Sequence, residues 1–318
     1  MVVWITVIAT VLFVSFAAYM LSKKSSNDPR SPHRPLKTPE EVGAFYNQHN
    51  SSFLEVYGEV IQAFRTTDVS KLLNYQIESI GLQNGQKVID AGCGVCGPAR
   101  YFLSKLDLHI DAITISEEQV RYSIEKNKEV GLENRINVTH GDFQQLEKYF
   151  ERNTYDVVYF LESFGHSTDH SKTINSSWEI LKPGGVMYIK DLFKKITPLP
   201  SLKKPIEDAI DDINQAYHYN IADLNNILDL IRKKGFILSS LKTIDIKLED
   251  FENLTISNDF QELTGINRIK NLQEYVFPVD FFELKCIKPW TNINIGNSRY
   301  FLQNLFYLQV KNKDVREL

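Results

Sequence analysis

The sequence contains few of the residues that mark disulfide-rich, zinc-binding or nucleic-acid-binding proteins. Only three of its 318 residues are cysteine, a count that fits a reducing compartment. Cys93-x-x-Cys96 is a redox pair or a packing and ligand-lining pair, because no second Cys pair or His cluster completes a metal site. The formal net charge of -4 at pH 7 argues against a nucleic-acid partner, which usually requires a basic surplus.

The amino-terminal segment is uncharged and apolar from residue 2 to residue 21. A run of this length can span a bilayer as a helix. A cleaved signal peptide is the alternative, but no basic segment precedes the run and no small-x-small cleavage site follows it before Lys23. Because positive flanks remain cytoplasmic, we predict a single-pass transmembrane anchor over residues 1–21, a Pro-rich basic linker over 22–39, and a body that faces the cytosol.

A glycine-rich turn follows the first strand that the sequence predicts in the body, Lys87–Ile89. This arrangement is typical of doubly wound folds, whose ligands lie at the carboxyl ends of the strands. Asp90 at the strand end can accept an ammonium group, whereas Pro98 removes a helix N–H that a phosphate would use. The resulting pattern, Asp-x-Gly-x-Gly-x-x-Gly, resembles motif I of class I S-adenosyl-L-methionine (SAM) methyltransferases, with its glycines at Gly92, Gly94 and Gly97.

Strands and helices alternate from residue 86 to residue 193, and Leu181-Lys182-Pro183-Gly184-Gly185 precedes the fifth strand, as is frequent in that superfamily. The resemblance implies an α/β, Rossmann-like fold with seven strands. It places a helical substrate cap over residues 40–80 and a methyltransferase core over 81–290, with a lid insertion at about 192–220. We assign no role to the tail, 291–318. The cap is rich in tyrosine, which resembles the sterol, prenyl-diphosphate and cyclopropane-fatty-acid methyltransferases; an amphipathic helix pair packed on the sheet is the alternative.

The resemblance implies SAM as the cofactor, with its ammonium group at Asp90. Thr114 stands where an acid usually ends the second strand, and Gln119 replaces that acid in the group that this chain resembles. Ser116 and Gln119 also form the pattern of a helix-capping box, and Asp142 is an ordinary turn former. The predicted cofactor-binding residues are Asp90, Gly92, Gly94, Gly97, Thr114, Ser116, Gln119, Asp142 and Phe143.

The predicted fourth strand, Tyr155–Leu161, is followed directly by Glu162, and His166 lies four residues after Glu162. In the group that this chain resembles, a Glu and a His at these positions line the acceptor site, although a single His in a loop is also an ordinary surface residue. Both are candidate bases, and aromatic rings from Tyr46, Tyr57 and Phe164 are candidates to face a cation. The predicted catalytic residues are therefore Glu162, His166 and Tyr46, with no metal ligand.

Taken together, the motifs indicate a SAM-dependent methyltransferase that acts on a lipophilic small molecule at a membrane. Carbon methylation of an isoprenoid alkene, of sterol or prenyl-diphosphate type, is the favoured reaction. Transfer to oxygen or nitrogen, or SAM binding without catalysis, remains an alternative. A diphosphate would need a basic or magnesium-binding patch; Arg65, Arg100 and Arg121 are available, but no acidic magnesium motif stands out.

Overall fold

The structure is a computed structural model that describes residues 37–243, 261–265 and 278–290. The predicted transmembrane anchor, the linker up to residue 36 and the tail from residue 291 lie outside these ranges. Among the residues that are described, no helix is both long enough and apolar enough to cross a membrane.

A seven-stranded sheet forms the centre of the body, in the order β3-β2-β1-β4-β5-β7-β6. Strands β1 to β5 are parallel to one another, whereas β7 is antiparallel to both β5 and β6. Successive strands are added on one side of β1 up to β3 and then, from β4 onward, on its other side. Strands β1 and β4 therefore flank a topological switch point, where α/β folds bind ligands. The strands are β1 (Lys87–Ala91), β2 (His109–Thr114), β3 (Ile136–His140), β4 (Tyr155–Leu161), β5 (Leu181–Lys194), β6 (Ile237–Thr243) and β7 (Val279–Ile287).

Seven α-helices are described around this sheet. The first two lie in the predicted cap, and α6 lies in the predicted lid insertion. Two short 3-10 helices, Phe143–Lys148 and Phe164–His166, follow β3 and β4. The helices are α1 (Pro39–Tyr57), α2 (Val69–Ile80), α3 (Gly97–Lys105), α4 (Glu117–Glu129), α5 (His170–Ile180), α6 (Pro200–Tyr217) and α7 (Leu224–Lys234).

The sequence Thr38-Pro39-Glu40-Glu41 favours a helix start, and α1 begins there. The Glu41 backbone N–H donates to Thr38 Oγ1 at 3.2 Å, and Glu41 Oε2 accepts from the Thr38 backbone N–H at 2.7 Å. This reciprocal pair is a capping box, and Pro39 occupies a first-turn position where its missing N–H costs nothing. The cap helix that carries Tyr46 therefore has a defined start.

The predicted Pro-Gly-Gly turn lies within β5 and bulges out of the ladder. Tyr155 pairs with Leu181 and Val157 with Val186, so one residue of β4 faces four residues of β5. Gly184 has a φ of +82°, and a Cβ there would lie 2.5 Å from the Trp290 ring. The turn chemistry was therefore predicted correctly, but the strand extends through it.

The central strands are buried on both faces, as parallel strands covered by helices must be. Ile89, Val158 and Ile189, from β1, β4 and β5, have no exposed surface. Burying such side chains contributes about 1.5–3 kcal/mol each, so this part of the sheet is a rigid support. The residues at its carboxyl edge are held in place by that core.

Candidate active site

An open cavity lies at the carboxyl ends of β1, β2 and β4, with about 700 Å³ of empty volume that includes open solvent. Nine predicted residues line it, which brings the predicted cofactor and acceptor groups to one place. They are Tyr46, Asp90, Gly92, Gly94, Thr114, Gln119, Phe143, Glu162 and His166. The remaining three predicted residues, Gly97, Ser116 and Asp142, do not line it.

The glycine turn is fixed by contacts with two neighbouring strands. Gly92 has a φ of +78°, and its N–H donates to the Ile113 carbonyl at 2.9 Å. A Cβ on Gly92 would lie 2.4 Å from Cβ of Ser163, which follows β4. Gly94 has a φ of +52°. Glycine at both positions therefore permits left-handed backbone, and at Gly92 it also allows the close approach of the chain after β4.

Asp90 presents an unsatisfied oxygen at this turn. The residue is 3% exposed, and its Oδ2 makes no hydrogen bond of standard geometry among the described residues. The neutral Tyr159 hydroxyl lies beside the carboxyl group and partly offsets the effect of burial on its pKa. Burial disfavours the charged carboxylate and raises its pKa to about 7. A donor that carries positive charge would satisfy this oxygen, and the ammonium group of SAM is such a donor.

Thr114 and Gln119 form a bonded pair beside the glycine turn. Thr114 Oγ1 donates to Gln119 Oε1 at 2.6 Å, and both residues are buried against the cavity. Because the Gln119 carbonyl is engaged by Thr114, the predicted capping box with Ser116 forms only in part. The polar pair occupies the place of the acid that commonly binds ribose hydroxyls.

Ser116 does not line the cavity, and its predicted part in cofactor binding stays a prediction. Its side chain is fully buried, donates to Asn47 Oδ1 at 2.7 Å and accepts from the Gln119 backbone N–H at 3.2 Å. The hydroxyl therefore caps α4 and joins it to α1, which was the alternative interpretation of the motif.

Gly97 and Asp142 also lie outside the cavity lining, and their predicted part in cofactor binding stays a prediction. A Cβ on Gly97 would lie 1.9 Å from the Glu59 carbonyl oxygen, so this glycine accommodates the chain after α1. Asp142 Oδ1 accepts from the Gln144 backbone N–H at 2.8 Å and from its side chain at 3.2 Å, as a turn former does. Of the predicted pair Asp142 and Phe143, only Phe143 lines the cavity.

Tyr46 and His166 are brought together across 120 residues of sequence. The Tyr46 hydroxyl and His166 Nε2 are 2.7 Å apart, and His166 Nδ1 lies 3.2 Å from the His218 carbonyl. A carbonyl only accepts, so Nδ1 carries the proton and Nε2 accepts from Tyr46. Burial lowers the pKa of His166 to about 4 and raises that of Tyr46. Both side chains are therefore neutral at pH 7.

Glu162 does not present the free carboxylate that its predicted role as a base requires. Its oxygens accept from the backbone N–H groups of Ala63 at 2.6 Å and Phe64 at 3.1 Å, and they pair with the Lys190 ammonium. These donors engage both oxygens of the carboxylate, and none of them belongs to a ligand. The sequence analysis missed Lys190, although a lone lysine at the end of the apolar run Tyr188-Ile189 was a visible signal.

The other candidate rings and cations also lie away from the cavity lining. Phe164 stacks on His170 with ring centroids 4.9 Å apart, and Tyr57 packs against Phe53 at 5.9 Å. The three arginines considered for a diphosphate bond elsewhere: Arg65 donates to the Tyr57 carbonyl, Arg100 pairs with Glu59, and Arg121 pairs with Glu118. Cys93 and Cys96 are buried free thiols, and the described ranges contain no cluster of ligands that could hold a metal.

The fold and the cavity define the class of protein. The seven-stranded sheet with an antiparallel β7, the glycine turn after β1 and Asp90 at that turn agree with the class I SAM methyltransferase resemblance. The family described as mycolic acid cyclopropane synthetase matches residues 63–203. This match confirms the resemblance predicted from the motifs.

Individual relatives agree with this class. A sterol 24-C-methyltransferase of Gibberella zeae is 30% identical over 187 residues, which cover 58% of this chain and 46% of that protein. Phosphoethanolamine N-methyltransferase 1 of Arabidopsis thaliana is 27% identical over 224 residues, covering 69% of this chain and 43% of that protein. The chain thus spans less than half the length of these curated relatives.

One solved structure shows the same fold over nearly the whole body. It is geranyl diphosphate C-methyltransferase of Streptomyces coelicolor A3(2), in complex with Mg²⁺, geranyl-S-thiolodiphosphate and S-adenosyl-L-homocysteine. The TM-score is 0.63 at 12% sequence identity, and the match covers 80% of this chain and all of that chain. The predicted Rossmann-like methyltransferase fold is therefore confirmed.

Proposed function

We propose that this protein is a SAM-dependent methyltransferase that methylates a carbon atom of a lipophilic isoprenoid. One observation carries the proposal: a single cavity is lined both by the unsatisfied Asp90 carboxylate and by the bonded pair of Tyr46 and His166. The first group suits the amino-acid end of SAM, and the second suits proton transfer at the acceptor. The matches to the cyclopropane synthetase family and to a sterol 24-C-methyltransferase support a carbon acceptor.

The residues around the glycine turn fit SAM. When SAM binds, Asp90 would hold its ammonium group, Thr114 and Gln119 would hold its ribose hydroxyls, and Phe143 would contact its adenine ring. When bound there, SAM supplies an activated methyl group on a positively charged sulfur. The protein's contribution is to align the acceptor and to exclude water.

An alkene acceptor requires one further step from the protein. Attack of the double bond on the methyl group would form a C–C bond as the S–CH3 bond breaks and a neutral thioether leaves. The acceptor would then carry a carbocation, and a neighbouring C–H proton must be removed. That proton is strongly acidic, so a weak base is sufficient. The Tyr46 oxygen accepts it while the Tyr46 proton passes to His166 Nε2, which leaves a neutral tyrosine and an imidazolium.

Nitrogen methylation is the second candidate, because the phosphoethanolamine N-methyltransferase match covers more of this chain than the sterol methyltransferase match. The same Tyr46 and His166 pair would then deprotonate an amine. The membrane anchor over residues 1–21 is a further part of the proposal; it rests on the sequence and would place the cavity near lipophilic acceptors.

The test uses the full chain in detergent, methyl-labelled SAM and a lipid extract of the host, followed by mass analysis of labelled products. Label on a hydrocarbon skeleton that resists acid and base hydrolysis is the expected result. Label on an amine would favour the second candidate, and label on an ester or ether would contradict both. SAM binding without transfer to any lipid or water-soluble extract would indicate a binding protein. His166→Ala is the matched variant, and it should lose product while still binding SAM.

A further inference from the structure

The segment between α1 and α2 forms one wall of the cavity without regular structure of its own. It runs from Gly58 to Asp68, and three of its residues, Glu59, Ile61 and Gln62, line the cavity. A Cβ built on Gly94 would lie 3.8 Å from Ile61 Cδ1, so the segment reaches the glycine turn itself. A wall made of irregular backbone needs side-chain partners to hold its position. We refer to residues 58–68 as the wall segment.

Glu162 and Lys190 supply these partners from the sheet edge. Glu162 accepts the consecutive backbone N–H groups of Ala63 and Phe64, while Lys190 Nζ donates to Gln62 Oε1 at 2.7 Å and to the Phe64 carbonyl at 3.0 Å. The Lys190 side chain is completely buried and the Glu162 side chain is 3% exposed. The two side chains therefore hold residues 62–64 through both their donors and their acceptors.

The pair is itself anchored to the rigid part of the fold. The Glu162 N–H donates to the Lys190 carbonyl at 2.7 Å, directly after the β4–β5 ladder. Glu162 has a φ of +59°, a left-handed conformation that non-glycine residues adopt only when their surroundings enforce it. The residue held in this conformation is therefore the same one whose carboxylate accepts the backbone N–H groups of the wall segment.

Stability alone does not account for this arrangement. Removing two charges from water costs several kcal/mol per ion, and apolar residues of similar volume often stabilise a fold as well or better. What apolar residues cannot do is accept two adjacent amides and donate to a side-chain carbonyl and a main-chain carbonyl. The specific consequence of the pair is therefore the position of the wall segment.

We propose that Glu162 and Lys190 are positioning residues, which set the wall segment against the cofactor end of the cavity and so control the affinity for SAM. The inference rests on the proposed function, because it assigns SAM to the cavity. It also gives Glu162 a role different from that of a base: the carboxylate acts on the main chain of residues 63 and 64, and the acceptor's proton goes to Tyr46 and His166.

The experiment compares Glu162→Gln, Lys190→Met and the double variant with the wild-type full chain. SAM affinity is measured by calorimetry without acceptor, and hydrogen exchange is followed for the Ala63 and Phe64 amides. We expect each single variant to weaken SAM binding by about tenfold or more and to accelerate exchange at those two amides, because each loses charge-assisted bonds. The double variant should cost less than the sum of the singles, since the two residues act as a unit.

Lys182→Met is the matched control. It removes an ion pair to Asp156 at 3.0 Å that also joins β5 to β4 but does not touch the wall segment. It should leave SAM affinity and exchange at residues 63 and 64 unchanged. If Lys190→Met alone fails to fold, the double variant removes the uncompensated carboxylate together with its partner, and Glu162→Gln is decisive on its own.

Two results would overturn the inference. The first is lower stability in both single variants with unchanged SAM affinity and unchanged exchange at residues 63 and 64. The second is loss of turnover in Glu162→Gln with SAM affinity and exchange intact, which would make Glu162 a participant in the chemistry. Neither readout depends on the acceptor, so failure to find methyl transfer would count against the proposed function and not against this inference.

Discussion

Replacing Asp90 by asparagine should have opposite effects on ligand affinity and on the stability of the empty protein. The change removes the charge from a carboxylate that is 3% exposed and whose Oδ2 makes no hydrogen bond of standard geometry within the described ranges. Its pKa is raised from 3.8 to about 7, because burial penalises the charged form. If an ammonium group of SAM binds there, the carboxylate is costly in the empty site and useful in the filled one.

The two effects have magnitudes that can be measured separately. A hydrogen bond to a charged partner contributes about 1.5–3 kcal/mol, so SAM binding should weaken by about 10- to 150-fold. In the empty protein, a pKa raised from 3.8 to about 7 corresponds to a destabilisation of about 4 kcal/mol at pH 8. The buried amide of asparagine is also polar, so the substitution recovers only part of this destabilisation. We expect Asp90→Asn to raise the free energy of unfolding at pH 8 by about 1–2 kcal/mol.

The pH dependence of the stability change tests whether Asp90→Asn stabilises the empty protein for the stated reason. A carboxyl group whose folded pKa is raised binds more protons in the folded state than in the unfolded state, so its cost grows as pH rises from about 4 to about 7. The stability gain of Asp90→Asn should therefore be smaller at pH 5 than at pH 8. Urea unfolding at the two pH values measures the gain, and calorimetry at pH 8 measures SAM affinity.

Asp111→Asn is the matched control for this prediction. Asp111 lies on the neighbouring strand β2 and is also buried, but its carboxylate accepts from the Tyr155 hydroxyl at 2.7 Å and from Asn137 Nδ2 at 2.8 Å, and it does not line the cavity. It should lose about 1–3 kcal/mol of stability and leave SAM affinity unchanged. The reasoning for Asp90 would be refuted if its variant bound SAM as tightly as the wild type, or if it lost stability at pH 8 as the control does.

Three further predictions concern the same cavity and its supports. Gly97→Ala should lower the free energy of unfolding by about 1–3 kcal/mol in a urea titration, because the new Cβ would lie 1.9 Å from the Glu59 carbonyl oxygen. An unchanged midpoint would show that the backbone there moves aside at no cost. SAM affinity should rise about tenfold between pH 6 and pH 8, since Asp90 with a pKa of about 7 ionises over that interval, and calorimetry in buffers of different ionisation enthalpy should show proton release on binding. Tyr46→Phe should reduce turnover of labelled SAM by about a hundredfold, because it removes the hydroxyl that bonds to His166 Nε2; turnover near that of the wild type would exclude this pair as the route of the proton.

Features that depend on local sequence were predictable. The strand β4 has the predicted bounds, Tyr155–Leu161. A short apolar run between polar turns is typical of a buried strand, so its bounds can be predicted from the sequence. The start of α1 at Thr38 and Pro39 follows from capping chemistry within four residues. The cavity-lining positions Asp90, Gly92 and Thr114 follow in turn, because parallel strands bring their carboxyl ends to one edge of the sheet.

Features that depend on contacts between distant segments were not predictable from the same evidence. Gly97 matches the glycine motif, yet the atom that excludes a side chain there is the carbonyl oxygen of Glu59, 38 residues earlier in the chain. Ser116 satisfies both a capping pattern and a ligand pattern, and its bond to Asn47 on α1 could not be read from the motif. A motif therefore identifies the turn but not the neighbour that each of its residues faces.

Asp90 and Glu162 show most clearly what the tertiary contacts add. Both are buried acids at the carboxyl ends of adjacent parallel strands, and the sequence alone gives each a role in the site. Among the described residues, Asp90 has the neutral Tyr159 hydroxyl beside it and an Oδ2 that makes no hydrogen bond of standard geometry, whereas Glu162 is bound by two backbone amides and by Lys190. Only the first is available to a ligand, so electrostatic recognition of SAM falls to Asp90. The chemistry at the acceptor then falls to the neutral pair of Tyr46 and His166, and Glu162 keeps the cavity wall in the place that both steps require.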